Sequence, residues 1–152
     1  MYEFALALPV LGMLLVGIIF GGMTFFNYVE LANAVEAGGR ALANGRGQGT
    51  SACSLATGAI TNSAGNLNAS QVVTGTVQFA GTSSCDSTLQ LGDAGYVSAV
   101  YPCNLPIPFT NINLCPMASG GSLTMTYSDT QYTLVSCPYS HCISATTTVY
   151  IE

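Results

Sequence analysis

Hydrophobic and polar positions divide this chain into two regimes. From Phe4 to Phe26 it reads FALALPVLGMLLVGIIFGGMTFF, twenty-three residues without a charge. As a helix that run spans about 34 Å, enough to cross the hydrocarbon core of a bilayer. Pro9 falls near its start, where a missing backbone donor does least harm. Gly21-Gly22 is the expected point of loosening, because each interior glycine costs about 1 kcal/mol relative to alanine. From Asn27 the pattern turns amphipathic: Val29, Ala32, Val35, Gly39 and Leu42 recur at helical steps, predicting a helix that lies on something. Glu36 and Arg40 form an i,i+4 pair in the favourable order. The glycine-rich NGRGQGTS, residues 44–51, closes the helix.

Beyond that boundary the spacing shortens. SLATGAITNSAG allows a short helix. Gln71–Phe79 alternates, with Val73, Gly75, Val77 and Phe79 on one face, and Tyr96–Tyr101 is a second short run. YPCNLPIPFTNINLCP carries four prolines between and beside two cysteines, which excludes a central strand and predicts a stapled loop. Gly121–Ser128 and Gln131–Ser136 predict a hairpin turning at Ser128-Asp129-Thr130, with Leu123, Met125 and Tyr127 on one face. Ile143–Ile151 alternates as a last strand. The expected organisation is α+β: a helix over 1–44 and a β-rich, extracellular head over 45–152.

Charge changes the picture by its scarcity. Charged residues make up 6% of the 152 residues, with no lysine and a net charge of -5. Two arginines cannot build a phosphate-binding surface, which argues against nucleic acid. The head uses Ser, Thr, Asn and Gly instead. Such a surface is buried by neighbouring subunits, coated by sugars, or simply neutral and hydroxyl-rich. Asn68-Ala69-Ser70 fits an N-glycosylation acceptor, a three-residue pattern that also arises by chance.

Six cysteines, Cys53, Cys85, Cys103, Cys115, Cys137 and Cys142, all follow the rod, and an even number in a loop-rich segment predicts disulfides in an oxidising compartment. Fifteen pairings exist; local closure favours Cys53–Cys85, Cys103–Cys115 and Cys137–Cys142. The only cations, Arg40 and Arg46, lie after the apolar run, so the positive-inside rule alone would leave the cysteines in the cytoplasm. A basic leader ahead of residue 1, removed on maturation, reconciles the two.

Chemistry has little to work with. His141 is the single imidazole and stands in CPYSHC, with no CxxC pair for zinc. Neither a GxSxG elbow nor a phosphate loop occurs, and Asp86, Asp93 and Asp129 sit in turn-like contexts. The expectation is no enzyme, no cofactor and no metal. Gly17 and Gly21 form a GxxxG that either brings helices together or reflects the ordinary frequency of glycine in membrane helices. Glu3 stands at the tip of the apolar run. It either stays at the interface or meets a mature N-terminal amine, its own or a neighbour's, neutralising both charges and setting register.

EFALALPVLGMLLVGIIFGG followed by NYVELANAVEAGGRALANG resembles the N-terminal region of TadE-like pilins and pseudopilins of tight-adherence pili, within the type IV pilus superfamily. AVEAGGR, residues 34–40, stands where that family has Ala-x-Glu-Gly-Ala-Arg, and the closing SATTTVYIE is similar to its terminal strand. The resemblance implies a single-pass precursor with a basic leader in the inner membrane. It implies cleavage by a prepilin peptidase, and assembly by pilus machinery into an extracellular filament of identical subunits. It also implies that Glu3 plays the family's acid role, although that acid usually stands at the fifth mature position. Glu3, Gly17, Gly21, Gly22, Glu36 and Arg40 are the expected assembly residues. A minor pseudopilin that primes or caps a filament is the alternative within the class; a membrane-tethered extracellular binding module is the alternative outside it.

Overall fold

The computed structural model describes residues 2–45, 51–75, 77–79, 91–107, 112–127 and 129–151. Arg46, Cys85, Asp86, Pro108, Ser128 and Glu152, which carry expectations given above, lie outside them. Helix α1, Tyr2–Asn44, is one element of 43 residues with Pro9 inside it, about 65 Å long. It stays helical through Gly21-Gly22, where loosening was expected. Two adjacent glycines do not interrupt a helix whose later turns are held in a core. After Gly45 the chain reverses into α2, Ala52–Ser63, which packs back on α1.

Among the described residues the strands form a five-stranded sheet and a separate two-stranded one. Strands β1 (Val73–Thr74) and β2 (Gln78–Phe79) pair with successive stretches of β3, Ala94–Pro102. β3 pairs antiparallel along its length with β7, His141–Tyr150, whose far edge takes β4, Met117–Ala118. β5 (Ser122–Tyr127) and β6 (Thr130–Ser136) make the expected hairpin. It turns through Asp129 at φ 63°, a left-handed conformation that aspartate tolerates better than most residues.

Alternation on β3 and β7 sorts their side chains between two layers. Val97, Ala99, Ile143 and Ala145 join a core with Leu31, Val35 and Leu42 of α1 and Ile60 of α2. Val100 and Cys142 join a second cluster with Val135 and Cys137. The order is helices, sheet, hairpin, and the central sheet is buried on both faces.

Two expectations need correction. Gln71–Phe79 is not one strand. Thr74 pairs with Ala99 and Gln78 with Tyr96, so β1–β2 holds one more residue between those pairs than β3 does. The extra residue reverses the facing: Val73 packs on the hairpin-side cluster, whereas Val77 and Phe79 are buried on the helix side. The step occurs at Gly75, whose nitrogen donates to the Ser98 carbonyl at 2.8 Å. A side chain there would collide with Ser98 Oγ and the Leu134 carbonyl, so hairpin and sheet crowd the strand at that point.

The buried stripe of α1 is also displaced from the one expected. Val29 is exposed, and the buried positions are Leu31, Ala34, Val35, Gly38, Gly39 and Leu42. The cause is that the helix touches two elements rather than one. At Gly38 an added Cβ would lie 2.5 Å from Ile60 Cγ1 and 3.1 Å from the Ala56 carbonyl oxygen of α2. At Gly39 it would lie 2.8 Å from both Thr147 Cγ2 and Val149 Cγ1 of β7. Neighbouring residues on a helix point about 100° apart, so the glycine pair lets α1 be clasped from two sides. Overpacking such a contact costs about 1–3 kcal/mol. Gly38→Ala should therefore lower the unfolding midpoint of the full chain in detergent, read by chemical denaturation. Gly17→Ala, where nothing lies within 4 Å, should leave the head's transition where it is. Equal behaviour of the two variants would overturn the clasp.

Candidate functional site: the uncovered helix and its junction with the head

Residues Ala7 to Ile19 of α1 are all exposed, among them Leu8, Leu11, Leu14 and Ile18. The apolar part of the helix meets the length and composition needed to cross a membrane, and none of that stretch is buried within the chain. An unbroken apolar surface of this size needs a partner, lipid or protein, to cover it. The same rod becomes half-buried at Gly21, Thr24, Asn27 and Glu30 and fully buried from Leu31 onward at core positions. The uncovered and the built-in parts are therefore one helix, with Thr24 Oγ1 capping back onto the Phe20 carbonyl at 3.0 Å near the transition.

The sequence-predicted residues are distributed along this rod rather than gathered. Glu3 lies in its first turn, and its side chain is outside the described atoms. Gly17, Gly21 and Gly22 leave open surface, with no atom within 4 Å of where a Cβ would stand. Glu36 and Arg40 form their i,i+4 ion pair on the exposed side, with side-chain exposures of 56% and 75%. Thirty-three residues of helix, about 50 Å, separate Glu36 from Glu3. No single subunit brings them together.

The head's cysteines tie its connections. Cys103 joins Cys115 and Cys137 joins Cys142, the sequential pairs. Cys53 is disulfide-bonded as well, and its expected partner Cys85 is outside the described residues. The Cys103–Cys115 loop carries an antiparallel bridge between Pro106 and Asn113. Among the described residues no three His, Cys, Asp or Glu side chains converge. His141 is half-buried at the start of β7. Asp93 stands just before β3 with its carbonyl accepting from Ile151 N.

Where α1 emerges from the head, a groove of about 820 Å³ opens between Phe20, Met23 and Asn27 on the helix and Cys103, Asn113 and Tyr139 on the head. Sequence reasoning did not single out Glu30, which holds this junction. Its Oε1 accepts from Asn66 N at 3.3 Å and Asn66 Nδ2 at 3.2 Å, fixing the turn after α2 to the helix. The available signal was an acid beside an amphipathic stripe, with nothing in its neighbourhood to name a partner thirty-six residues on. Tyr139 Oη donates to the Gln71 carbonyl at 3.1 Å, tying the groove's other wall to the 3-10 turn at Ala69–Gln71.

A helix bare over its first half and embedded in a small disulfide-stapled α+β head over its second defines a helix-anchored surface protein. Residues 1–40 match the family described as TadE-like protein, over most of the stretch in which the sequence resembles it. The helix is thus that of a TadE-like, Tad-pilus-associated protein, a structural rather than enzymatic family, and its uncovered half fits a membrane-anchored component of a surface pilus. The match ends before the head. No curated protein and no solved structure matches the chain.

Exposed i,i+4 pairs contribute about 0.3–0.5 kcal/mol. Arg40→Gln should therefore move the head's unfolding free energy by no more than about 0.5 kcal/mol, measured by denaturant titration. A larger loss would mean that Arg40 supports the fold through something other than Glu36.

Proposed function

We propose that the chain is a pilin subunit that polymerises through its N-terminal helix into an extracellular pilus filament, after a period as a single-pass protein of the inner membrane. The observation that carries this is the bare apolar half of α1, continuous with the half locked into the head. A rigid joint of that kind lets helices pack together while the heads they carry face outward in a set orientation. Its partners are identical subunits, with a prepilin peptidase and the pilus assembly machinery acting on the precursor. Six cysteines and a charge-poor, hydroxyl-rich head suit a subunit standing in line with copies of itself outside the cell.

Lipid and neighbouring helices are both apolar, so transfer from one to the other gains little from hydrophobicity. Close packing and polar pairing must supply the difference. Gly17 and Gly21 provide the close approach on the open surface. Glu3 provides the pairing, meeting a mature N-terminal amine so that both charges are neutralised inside the bundle and a slipped register leaves one buried alone.

In cells carrying the assembly machinery, Glu3→Ala and Gly17→Leu should each abolish filaments recovered by shearing, while the head keeps its wild-type unfolding midpoint. Wild-type filaments from both variants would remove the helix from assembly. Recovery of the wild-type chain at only a trace of the filament mass would make it a priming or capping pseudopilin. A chain that stays wholly with membranes under the same shear would make it a tethered binding module.

A further inference from the structure

We propose that the Cys103–Cys115 loop is a second membrane-contacting element: it seats in the interfacial layer of the bilayer beside α1 while the subunit is membrane-anchored. This goes beyond polymerisation and rests on the membrane-spanning role of the apolar helix.

Its position follows from how β3 runs. Gly95, near the start of β3, lies against Leu42 near the end of α1. Cys103, just past the end of β3, shares a groove with Met23 and Phe20. From Leu42 back to Met23 is about 28 Å of helix, and from Gly95 on to Cys103 is about 26 Å of strand. The strand therefore descends alongside the helix toward its apolar half, and the loop is delivered at the last turns of the uncharged run. That is where a spanning helix would leave the hydrocarbon.

The loop's chemistry suits that depth. Between Ala94 and Asp129 the chain holds no charged residue, so no ion need be desolvated. Leu114 and Ile112 are each 59% exposed, while Leu105 and Cys115 pack on the core behind them. An interfacial segment must also satisfy its own backbone, because water is scarce there. Ile107 N donates to the Ile112 carbonyl at 2.9 Å and Leu114 N to that of Leu105 at 3.0 Å. Asn113 Oδ1 accepts from Leu105 N at 3.2 Å and from Cys115 N at 3.0 Å. Cys103 N reaches the His141 carbonyl at 3.0 Å, and Pro106 and Pro116 have no donor to satisfy. A surface loop in water has no need of so closed an arrangement. The disulfide completes it by holding the two limbs together.

Tryptophan is absent from the chain, so single substitutions report their own surroundings. The full chain would be reconstituted in phosphatidylethanolamine–phosphatidylglycerol vesicles with bromine placed either high or low on the acyl chains. Leu114→Trp should show blue-shifted emission and lose most of it to the high bromines. Leu14→Trp, in the middle of the rod, should be quenched by the low ones. Leu91→Trp, exposed at the opposite end of β3, should keep water-like emission. If Leu114→Trp matches Leu91→Trp while Leu14→Trp is quenched, the loop proposal fails and the spanning helix stands. If Leu14→Trp is not quenched either, the spanning helix fails and takes the loop proposal with it. Protection of Leu114→Trp only in assembled filaments would give the loop to a neighbouring copy and overturn its seat in lipid.

Discussion

The close approach of α1 to its two neighbours at Gly38 and Gly39 is the constraint on which the rest depends. A helix buried on one side can slide or tilt on that side. One pressed by α2 through Gly38 and by β7 through Gly39 has little freedom to do either without steric conflict. Protein interiors pack densely enough that such a fit transmits position. The direction in which the bare half of the helix leaves the head is set by contacts made forty or so residues from its tip. A head with a loosely held helix could still fold, yet it could not present its copies in one orientation.

The rest of the head follows from that clasp. The sheet must be buried on both faces, because helices cover one and the hairpin the other. The chain meets this with small side chains on β3, including Ser98, which is buried with its hydroxyl unpaired among protein atoms, and with Gly75, which gives the crossing hairpin room. Disulfides close the connections where apolar burial is thin: the proline-rich loop at the helix-exit end and the tight turn into β7. A small head with so few charges gains little from ion pairs, and the one on α1 is exposed. Packing and cross-links carry the stability.

The chain is consequently one object that serves two solvents. Its first half has the surface of a membrane or filament-core helix, and its second half has the buried stripe of an ordinary domain helix. Between them lie the polar anchors at Thr24, Asn27 and Glu30. Residues in the unlike halves do not act as a single site, since Glu3 and the Glu36–Arg40 pair are most of a helix apart. Any cooperation between them passes through the rod or between subunits.

The sequence by itself determined the long helix and its end near Asn44, the separate cysteine-bearing β-rich body, the stapled loop and the hairpin turning at Asp129. Each rests on a local signal: uninterrupted apolarity, glycine at a terminus, proline that cannot enter a ladder, or alternation broken by a turn residue. Local disulfide closure also anticipated Cys103–Cys115 and Cys137–Cys142. Tertiary structure decided which side of α1 is buried, since alanine and glycine look alike to a hydrophobic pattern until α2 and β7 arrive on two sides and leave Val29 outside. It split Gln71–Phe79 and reversed its facing, because the extra residue at the Gly75 step answers to a hairpin contributed by residues sixty positions later. It also placed the proline-rich loop beside the apolar rod, through the direction of β3 along the helix. Periodicity reports how a segment meets one partner, and each of these outcomes needed a second.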